Sequence, residues 1–217
     1  MVSAERAVAE VRRGDTVMVG GFGLVGAPLT LIAALVASEE ARELTVISNN
    51  LGEPGKGLGA LLLSGGVKRA IGSYFTSNPD VVAAYGRGEL DAELLPQGTL
   101  SEAIRSGGAG LGGFYTPTAV GTELAEGREE REIGGTRYLF QASLRADVAL
   151  IRGRAADTLG NLVYDKTARN FNPDMATAAK VVIAEVDEIV EVGAIAPEQV
   201  ATPHLYVDYL VRAEVTL

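Results

Sequence analysis

The chain has 217 residues, 47% of them hydrophobic and 22% charged, a balance typical of a globular protein with a buried core. Its formal net charge of −9 argues against a nucleic-acid partner, because such a surface needs clustered cationic side chains to neutralise phosphates. The lack of cysteine in the sequence excludes disulfides, thiolate zinc sites and a cysteine nucleophile.

No apolar run reaches the ~20 residues that a membrane-spanning helix requires. The first ten residues lack the apolar segment of an export signal. We therefore expect a cytoplasmic protein without a membrane partner, organised as a single domain over residues 1–217.

The first half of the chain alternates helices and apolar strands. Helices are predicted at Ser3–Val11, Pro28–Ser38 and Asn78–Tyr85, and strands at Thr16–Val19, Leu44–Ser48, Lys68–Tyr74 and Leu90–Leu95. Ser3 and Asn78 are expected to cap their helices through side-chain oxygens. The glycines between positions 52 and 59 predict a loop, followed by an apolar turn through Leu63. Thr99 and Glu102 have capping-box spacing, which predicts that Thr99 caps the next helix.

The second half contains a glycine-rich segment, a hairpin and two further strands. Gly107–Thr122 combines glycines with aromatic residues and is predicted to be a long ordered loop. Glu123–Arg137 predicts an exposed hairpin that turns at Gly134-Gly135. The remaining elements are two strands and the helix between them, at Asp147–Ile151, Val181–Glu185 and Met175–Ala179. Asn172 is expected to cap that helix. This alternation predicts a three-layer α/β/α fold with a mainly parallel sheet.

The first strand runs into a glycine loop, which we define as residues 20–26, Gly-Gly-Phe-Gly-Leu-Val-Gly. Pro28 then opens the next helix, at a position where its missing N–H costs nothing. Glycine permits positive φ and a close approach of ligand to backbone. Backbone N–H groups before a helix attract anions and can stabilise a developing oxyanion. The pattern therefore predicts a loop that binds or polarises a ligand.

Two other interpretations of the glycine loop stay open. Gly21 to Gly26 match the dinucleotide fingerprint G-x-G-x-x-G, which predicts a nicotinamide site. That fingerprint also needs an acid at the end of the second strand, where this chain has Asn49-Asn50. Alternatively, the glycines form a turn that merely joins a strand to a helix.

Several motifs in order carry a resemblance to a known family. The sequence resembles the A (alpha) subunit of family I coenzyme A transferases, through the glycine loop with Ala27-Pro28, Asn49-Asn50, Pro96-Gln97-Gly98-Thr99-Leu100, Gly107–Thr122, Asp157 with Gly160-Asn161-Leu162, and Ala168-Arg169-Asn170-Phe171-Asn172-Pro173. The chain departs from the family pattern in three places, at Arg13, Thr76 and Ala119. These departures concern local loop geometry.

The resemblance implies a NagB/RpiA/CoA transferase-like fold and a transfer of CoA from an acyl-CoA to a free carboxylate. Succinyl-CoA is the expected donor and a 3-oxoacid such as acetoacetate the expected acceptor, with acetate/butyrate or 3-oxoadipate transferases as alternatives. Coenzyme A is then a substrate, and neither a metal nor NAD is needed. The family's nucleophilic glutamate lies in a Ser-Glu-Asn-Gly motif of the beta subunit, which this chain lacks. The expected partner is therefore a beta subunit carrying that glutamate, in a hetero-oligomer.

The resemblance also implies roles for particular residues. The oxyanion donors and positioning groups would be Gly21, Phe22, Gly23 and Gln97. The CoA-contacting residues would be Gly20, Gly21, Phe22, Gly23, Leu24, Val25, Gly26, Asn49 and Asn50. Gln97 would sit in a loop at a strand end, where it positions the glutamate or the substrate carboxylate.

Four other polar positions have simpler explanations. Glu53 and Glu102 are interpreted as a loop acid and a capping-box acid rather than an acid–base pair. His204 is the only histidine, which argues against a zinc site, and it is expected at the surface or an interface. Asn170-Phe171-Asn172-Pro173 is interpreted first as a helix start, with a substrate-side or interface role left open.

Overall fold

A computed structural model describes residues 1–215. Strands β1 to β11 are Thr16–Val19, Leu44–Ile47, Val67–Gly72, Asp91–Leu94, Gly113–Thr116, Glu130–Ile133, Thr136–Ala142, Ala146–Asp157, Leu162–Val163, Ala179–Val190 and Tyr209–Arg212. Helices α1 to α6 are Ala4–Val8, Leu29–Ala37, Leu58–Leu63, Pro79–Gly86, Gln97–Gly108 and Asn172–Thr177. Short 3₁₀ turns occupy Glu123–Ala125, Lys166–Arg169, Pro197–Gln199 and His204–Tyr206.

A mainly parallel sheet forms the centre of the fold, as predicted. Its strand order is β11-β10-β8-β1-β2-β3-β4, with every neighbouring pair parallel, and β9 pairs antiparallel with β8. Because side chains alternate along a strand, Val17 and Val19 of β1 join one apolar cluster while Met18 joins another. The first cluster includes Leu31 of α2, and the second includes Leu100 of α5. Helices therefore cover both faces, which confirms the three-layer α/β/α prediction.

Strands β8 and β10 are longer than predicted. They pair in register from Ala146 with Ala179 to Asp157 with Val190. The predicted strands stopped at Ile151 and at Glu185 because charged residues interrupt the apolar pattern there. Pairing with a neighbouring strand, rather than hydrophobicity, sustains the second half of each strand.

A small antiparallel sheet, ordered β5-β7-β6, lies outside the central one. The predicted turn at Gly134-Gly135 is confirmed: β6 and β7 meet there, and both glycines have positive φ. The bounds predicted for the hairpin are wrong, because Glu123–Ala125 is a 3₁₀ turn and β7 continues past Arg137 to Ala142. The prediction of one long loop over Gly107–Thr122 is wrong in two places. Its first two residues end α5, and Gly113–Thr116 forms β5. The β5 side chain of Tyr115 packs edge-on against Phe140 of β7, with ring centroids 5.4 Å apart.

Helix ends show which capping predictions hold. The side-chain oxygens of Ser3 and Asn78 accept the N–H groups of Arg6 and Asp80, at 3.2 and 3.1 Å, as predicted. Helix α1 nevertheless ends at Val8, short of the predicted end at Val11. The predicted glycine loop and turn before Leu63 contain a short helix, α3.

Two capping predictions are wrong. Helix α5 begins at Gln97 directly after Pro96, so Thr99 lies buried in its first turn, and Glu102 pairs with Arg105 at 2.8 Å. The fixed φ of proline suits the residue before a helix and starts this one two residues before Thr99. Helix α6 begins with Asn172 itself and ends at Thr177, so Asn172 is not its cap.

Within residues 1–215, none of the helices has the length and apolar character that crossing a membrane requires.

Candidate functional site

The site lies where β1 and β4 end, at the carboxyl edge of the parallel strands. This edge is where α/β sheets usually bind ligands. The glycine loop follows β1, and Gln97 follows β4 as the first residue of α5, not as the loop residue that was predicted. A cavity of about 400 Å³ has Phe22 and Gln97 in its lining, together with Gly98, Ser101, Asn170 and Phe171. The Phe22 side chain is half exposed. The structure thus brings two of the predicted site residues to one opening, which we call the reaction cavity.

The glycine loop is folded into a tight turn. Phe22 N–H donates to the Val25 carbonyl at 2.9 Å, and Val25 N–H donates back to the Phe22 carbonyl at 3.2 Å. Gly23 lies between them at φ +64°, which L side chains rarely adopt. Gly20 N–H donates to the Leu150 carbonyl of β8 at 3.0 Å, which fixes the start of the loop to the sheet.

These bonds decide which backbone amides remain open to a ligand. Gly21 N–H donates to Asn170 Oδ1 at 3.1 Å, and Phe22 N–H is occupied by Val25. The N–H groups of Gly23, Leu24 and Gly26 donate to no acceptor within residues 1–215. An unbonded amide in a folded loop is available to an oxyanion or a phosphate. The resemblance made every N–H group of residues 20–26 a candidate donor, and the structure leaves only those of Gly23, Leu24 and Gly26 unbonded.

Asn170 holds the turn from its outer side. Its Oδ1 accepts from Gly21 N–H at 3.1 Å and from Phe171 N–H at 2.7 Å, and its Nδ2 donates to the carbonyls of Val25 at 3.0 Å and Ala168 at 3.1 Å. One amide side chain thus satisfies both a donor and an acceptor of the glycine loop. Asn170 itself has a φ of +24°, a conformation that asparagine tolerates better than most residues.

Asn172 holds the same loop from below and is fully buried. Its Nδ2 donates to the Gly26 carbonyl at 3.1 Å and to the Ala168 carbonyl at 3.0 Å, while its Oδ1 accepts from Arg152 N–H at 2.9 Å. A Cβ on Gly20 would lie 1.8 Å from that Oδ1, so contact alone requires glycine at position 20. We call Asn170 and Asn172 the asparagine clamp.

The sequence interpretation of this segment as a helix start missed its main role. Asn172 does begin α6, and Asn170 lies two residues before it, but their side chains bond to a loop about 150 positions earlier in the chain, as the separation of 149 between Gly21 and Asn170 shows. The sequence offered one signal, the pair of asparagines on either side of Phe171. That pattern does not identify the residues to which their side chains bond.

The asparagines at positions 49 and 50 are buried at the end of β2. Asn49 Oδ1 accepts from Ser73 Oγ at 2.7 Å, and Asn50 Oδ1 accepts from Gly52 N–H at 3.3 Å. Such local bonds are the ordinary turn chemistry of asparagine. Neither residue is among those that line the reaction cavity. Their contact with CoA remains a prediction.

The other polar candidates lie in local structures. Glu53 forms a turn with Lys56, and its N–H and carbonyl both bond to that residue's backbone. The Arg105 guanidinium lowers the pKa of the Glu102 carboxyl by bonding to it directly. His204 is exposed and opens a 3₁₀ turn, where its N–H donates to Asn161 Oδ1 at 2.9 Å. No three metal-binding side chains converge in the part of the chain that the structure describes.

A buried carboxylate supports the helix that follows the glycine loop. Glu185 of β10 is fully buried, accepts from Leu31 N–H in the first turn of α2 at 3.0 Å, and pairs with Arg152 of β8. Arg152 also pairs with the half-exposed Asp187. Burial away from water raises the pKa of the Glu185 carboxyl, while the N–H of Leu31 and the charge of Arg152 oppose that rise.

This raised pKa makes a prediction about stability. A carboxyl whose pKa is higher in the folded than in the unfolded state contributes stability that is complete below the unfolded value and is lost as the pH rises through the folded value. The ordinary pKa of glutamate here is 4.5. We therefore expect the unfolding free energy of the unmodified chain to fall relative to that of Glu185→Gln as the pH rises from 4.5. Urea unfolding at pH 5 to 8 measures the gap between the two proteins.

Asp147→Asn provides the control. The Lys180 ammonium, bonded at 2.8 Å, lowers the pKa of Asp147 below its ordinary 3.8. The contribution of Asp147 to stability is lost only as the pH falls through that lowered pKa. The difference in unfolding free energy between the unmodified chain and Asp147→Asn should therefore stay constant from pH 5 to 8. A constant gap for Glu185→Gln over the same range would contradict the assignment.

Known proteins are similar to this chain in sequence. A family model described as coenzyme A transferase matches residues 1–213. The chain is 53% identical over 201 residues to the A subunit of the succinyl-CoA:3-ketoacid coenzyme A transferase of Xanthomonas campestris pv. campestris strain B100, covering 93% of this chain and 83% of that protein. It is 44% identical over 214 residues to the alpha subunit of the acetate CoA-transferase of Escherichia coli strain K12, covering 99% of this chain and 97% of that protein.

A solved structure shows the same fold. The crystal structure of an acyl-CoA transferase from Escherichia coli O157:H7, a thioester complex with CoA, superposes with a TM-score of 0.88 at 23% identity. The match covers 98% of this chain and 49% of the other, so the present chain spans about half the length of that enzyme. The chain therefore belongs to the coenzyme A transferase family, as an A (alpha) subunit of family I.

Proposed function

We propose that this chain is the alpha subunit of a CoA transferase that moves CoA from succinyl-CoA to a 3-oxoacid such as acetoacetate, and that its partner is a beta subunit. One observation carries the proposal. The reaction cavity is lined by Phe22, the residue before the unbonded amide of Gly23, and none of its lining residues in the described chain is acidic. A site with donors for an oxyanion and without a carboxylate nucleophile is half of a transferase site.

The missing carboxylate is assigned to a glutamate of the partner. Its oxygen attacks the thioester carbonyl, the C–S bond breaks, and the CoA thiolate leaves an acyl–glutamyl anhydride behind. The thiolate then attacks the glutamyl carbonyl and releases succinate, which leaves CoA on the glutamate as a thioester. The acceptor carboxylate reverses these steps. Each attack places negative charge on a former carbonyl oxygen, and preorganised N–H donors stabilise that charge.

This chain would supply donors and walls for those steps. The open N–H groups of Gly23 and Leu24 are the candidate oxyanion donors, and the half-exposed ring of Phe22 shields the reacting carbonyl from water. The exposed amide of Gln97 faces the same cavity and would position a carboxylate. The loop geometry disfavours a dinucleotide site. The third glycine of that fingerprint allows close packing between the helix and the strand, but here the third glycine, Gly26, precedes α2, which begins at Leu29.

The acceptor is proposed from the relatives and is tested by competition. The relative from Xanthomonas is named for 3-ketoacids and the one from Escherichia coli K12 for acetate. The chain should be co-expressed with the adjacent reading frame, as the candidate beta subunit, and the purified complex should be given succinyl-CoA with acetoacetate, acetate or 3-oxoadipate. Acetoacetate should give the highest kcat/KM.

The same preparation tests the division of the site between two chains. The chain alone should transfer no CoA, and mass spectrometry of the complex after incubation with succinyl-CoA should find CoA attached to a glutamate of the partner. Turnover by the chain alone, or a CoA adduct on this chain, would contradict the proposal.

A further inference from the structure

One polar side chain of the reaction cavity takes no part in the proposed transfer of CoA. Ser101 of α5 lines the cavity together with Gln97 and Gly98 of the same helix. Gln97 and Ser101 are four positions apart, so one turn of the helix brings both side chains to the same face. The helix therefore offers the cavity two polar side chains, an amide and a hydroxyl.

The hydroxyl of Ser101 is free. Serine in a helix commonly donates to a carbonyl of the preceding turn, and Ser106 does so, with its Oγ 3.1 Å from the Ala103 carbonyl oxygen. Within residues 1–215, the other side-chain hydrogen bonds of α5 join Glu102 to Arg105, and Ser101 makes none. Ser101 is half-buried, and every buried side-chain N or O atom of the described residues has a partner. The unbonded Ser101 Oγ is therefore an accessible atom, on a side chain that lines the reaction cavity.

The rest of the cavity wall offers few polar groups. Phe22 and Phe171 are aromatic, and Gly98 has no side chain. The Asn170 amide is committed to hydrogen bonds with the glycine loop and its own segment. Among the described residues that line the cavity, this leaves the two polar side chains of α5 to contact a polar ligand.

Gly98 keeps the wall open beside these two side chains. Its φ lies outside the left-handed region that favours glycine, and a Cβ there would meet nothing within 4 Å. Neither the backbone nor the packing of the chain requires glycine at this position, although glycine weakens a helix relative to alanine. The absent side chain leaves room for a ligand next to Gln97 and Ser101.

We propose that Ser101 is a specificity-determining residue for the acceptor, whose 3-oxo group accepts a hydrogen bond from the Ser101 hydroxyl. The proposal rests on the proposed function, which supplies a 3-oxoacid as the acceptor and Gln97 as the group that positions its carboxylate. Side chains four positions apart on a helix are about 5–6 Å apart at Cβ. The carboxyl and 3-oxo groups of the acid are separated by one methylene, so one molecule can reach both side chains.

A hydroxyl suits this role because a ketone oxygen accepts hydrogen bonds and donates none, whereas serine can donate. An acid with a methylene in place of the 3-oxo group, such as butyrate, leaves the hydroxyl without a partner once it fills the cavity. Sites that hydrogen-bond a polar group of the substrate discriminate against analogues that lack it for this reason. Since the bond joins two uncharged groups, it should change kcat/KM about fivefold.

The test compares acetoacetate with butyrate as acceptors in the complex with the beta subunit. Ser101→Ala should lower kcat/KM for acetoacetate about fivefold without lowering that for butyrate, so the preference for the 3-oxoacid falls by the same factor. Ser101→Thr and Ser101→Val test the hydroxyl at nearly constant size, because the two side chains they introduce have almost the same shape and only one has a hydroxyl. Ser101→Thr should keep the preference of the unmodified complex, and Ser101→Val should lose it.

Ser106→Ala is the matched control. It removes a hydroxyl from the same helix, at a position that is fully buried and bonded to the Ala103 carbonyl. The preference of the purified complex for acetoacetate over butyrate should not change in this variant.

A preference that Ser101→Ala leaves unchanged, or equal losses for both acceptors, would overturn the role of Ser101. Equal preferences in Ser101→Thr and Ser101→Val would overturn it as well, because size alone would then explain the effect. The unmodified complex separates this failure from a failure of the proposed function. If it transfers CoA to acetoacetate while every Ser101 variant keeps its preference, only the role of Ser101 is wrong. If it prefers 3-oxoadipate, the comparison of 3-oxoadipate with adipate should give the same result, and if it accepts no 3-oxoacid, both proposals are wrong.

Discussion

Replacing Asn170 with alanine should lower kcat/KM for CoA transfer about 100-fold in the complex with the beta subunit. The substitution removes the acceptor of Gly21 N–H and the donor to the Val25 carbonyl in one step. The turn that displays Gly23 and Leu24 is then held from one side only. A displacement of about 1 Å in a catalytic group can cost about 100-fold in rate. Steady-state kinetics with succinyl-CoA and the acceptor measure the loss.

Asn170→Asp tests the two halves of the amide separately. The carboxylate keeps the acceptor toward Gly21 N–H, but it turns an oxygen toward the carbonyls of Val25 and Ala168, where Nδ2 now donates. Two facing acceptors repel, so this variant should be as impaired as the alanine variant. Near-normal activity in Asn170→Asp would show that only the bond to Gly21 matters.

The control is an asparagine with equally good bonds elsewhere. Asn161 donates to Asp157 Oδ2 at 2.7 Å and accepts from His204 N–H at 2.9 Å, and it does not touch the glycine loop. Asn161→Ala should cost stability, of the order of 1–3 kcal/mol for the unsatisfied partners, but leave kcat/KM of the folded complex within about twofold. A complex of Asn170→Ala that assembles normally and is as active as Asn161→Ala would contradict the role of the clamp.

The parts of this fold that follow from the sequence are those decided by neighbouring residues. Strand β1 has the bounds predicted for it, because a run of apolar and β-branched residues stops at Gly20. The Ser3 and Asn78 caps and the turn at Gly134-Gly135 are equally local. Where two local signals compete, as at Pro96 and Thr99, the pattern alone selected the wrong start for α5.

The parts that sequence could not supply depend on distant contacts. Asn172 looks like a cap, yet its Oδ1 accepts the N–H of Arg152 on another strand. The same reason explains the amides. In the sequence, nothing distinguishes Gly21 from Gly23 within the glycine loop. In the structure, the side chain of Asn170, 149 positions away, accepts the N–H of Gly21 and leaves the N–H of Gly23 unbonded. The sequence could therefore indicate the glycine loop as a candidate site, but it could not show which of the loop's backbone amides are left unbonded.

Gly26→Ala should destabilise the full chain by about 3 kcal/mol, and Gly23→Ala by only about 1 kcal/mol. The two glycines have nearly the same φ, +70° and +64°, so the backbone penalty for alanine, about 1–2 kcal/mol, is common to both. They differ in what surrounds them. A Cβ on Gly23 meets nothing within 4 Å, whereas a Cβ on Gly26 would lie 2.4 Å from the Ala168 carbonyl and 2.6 Å from Asn170 Nδ2.

Neither contact of the Cβ on Gly26 can be relieved by a rotamer change. The Ala168 carbonyl belongs to the backbone, and the Asn170 side chain is held by its other hydrogen bonds. Overpacking of this kind costs about 1–3 kcal/mol beyond the common penalty. Urea unfolding of the two variants at pH 7 measures the difference. Since the shared φ cancels in the comparison, the excess for Gly26→Ala reports the packing of the glycine loop against residues 168–170. Equal losses in the two variants would mean that this packing does not hold the loop in solution, and the asparagine clamp would then lose its physical basis.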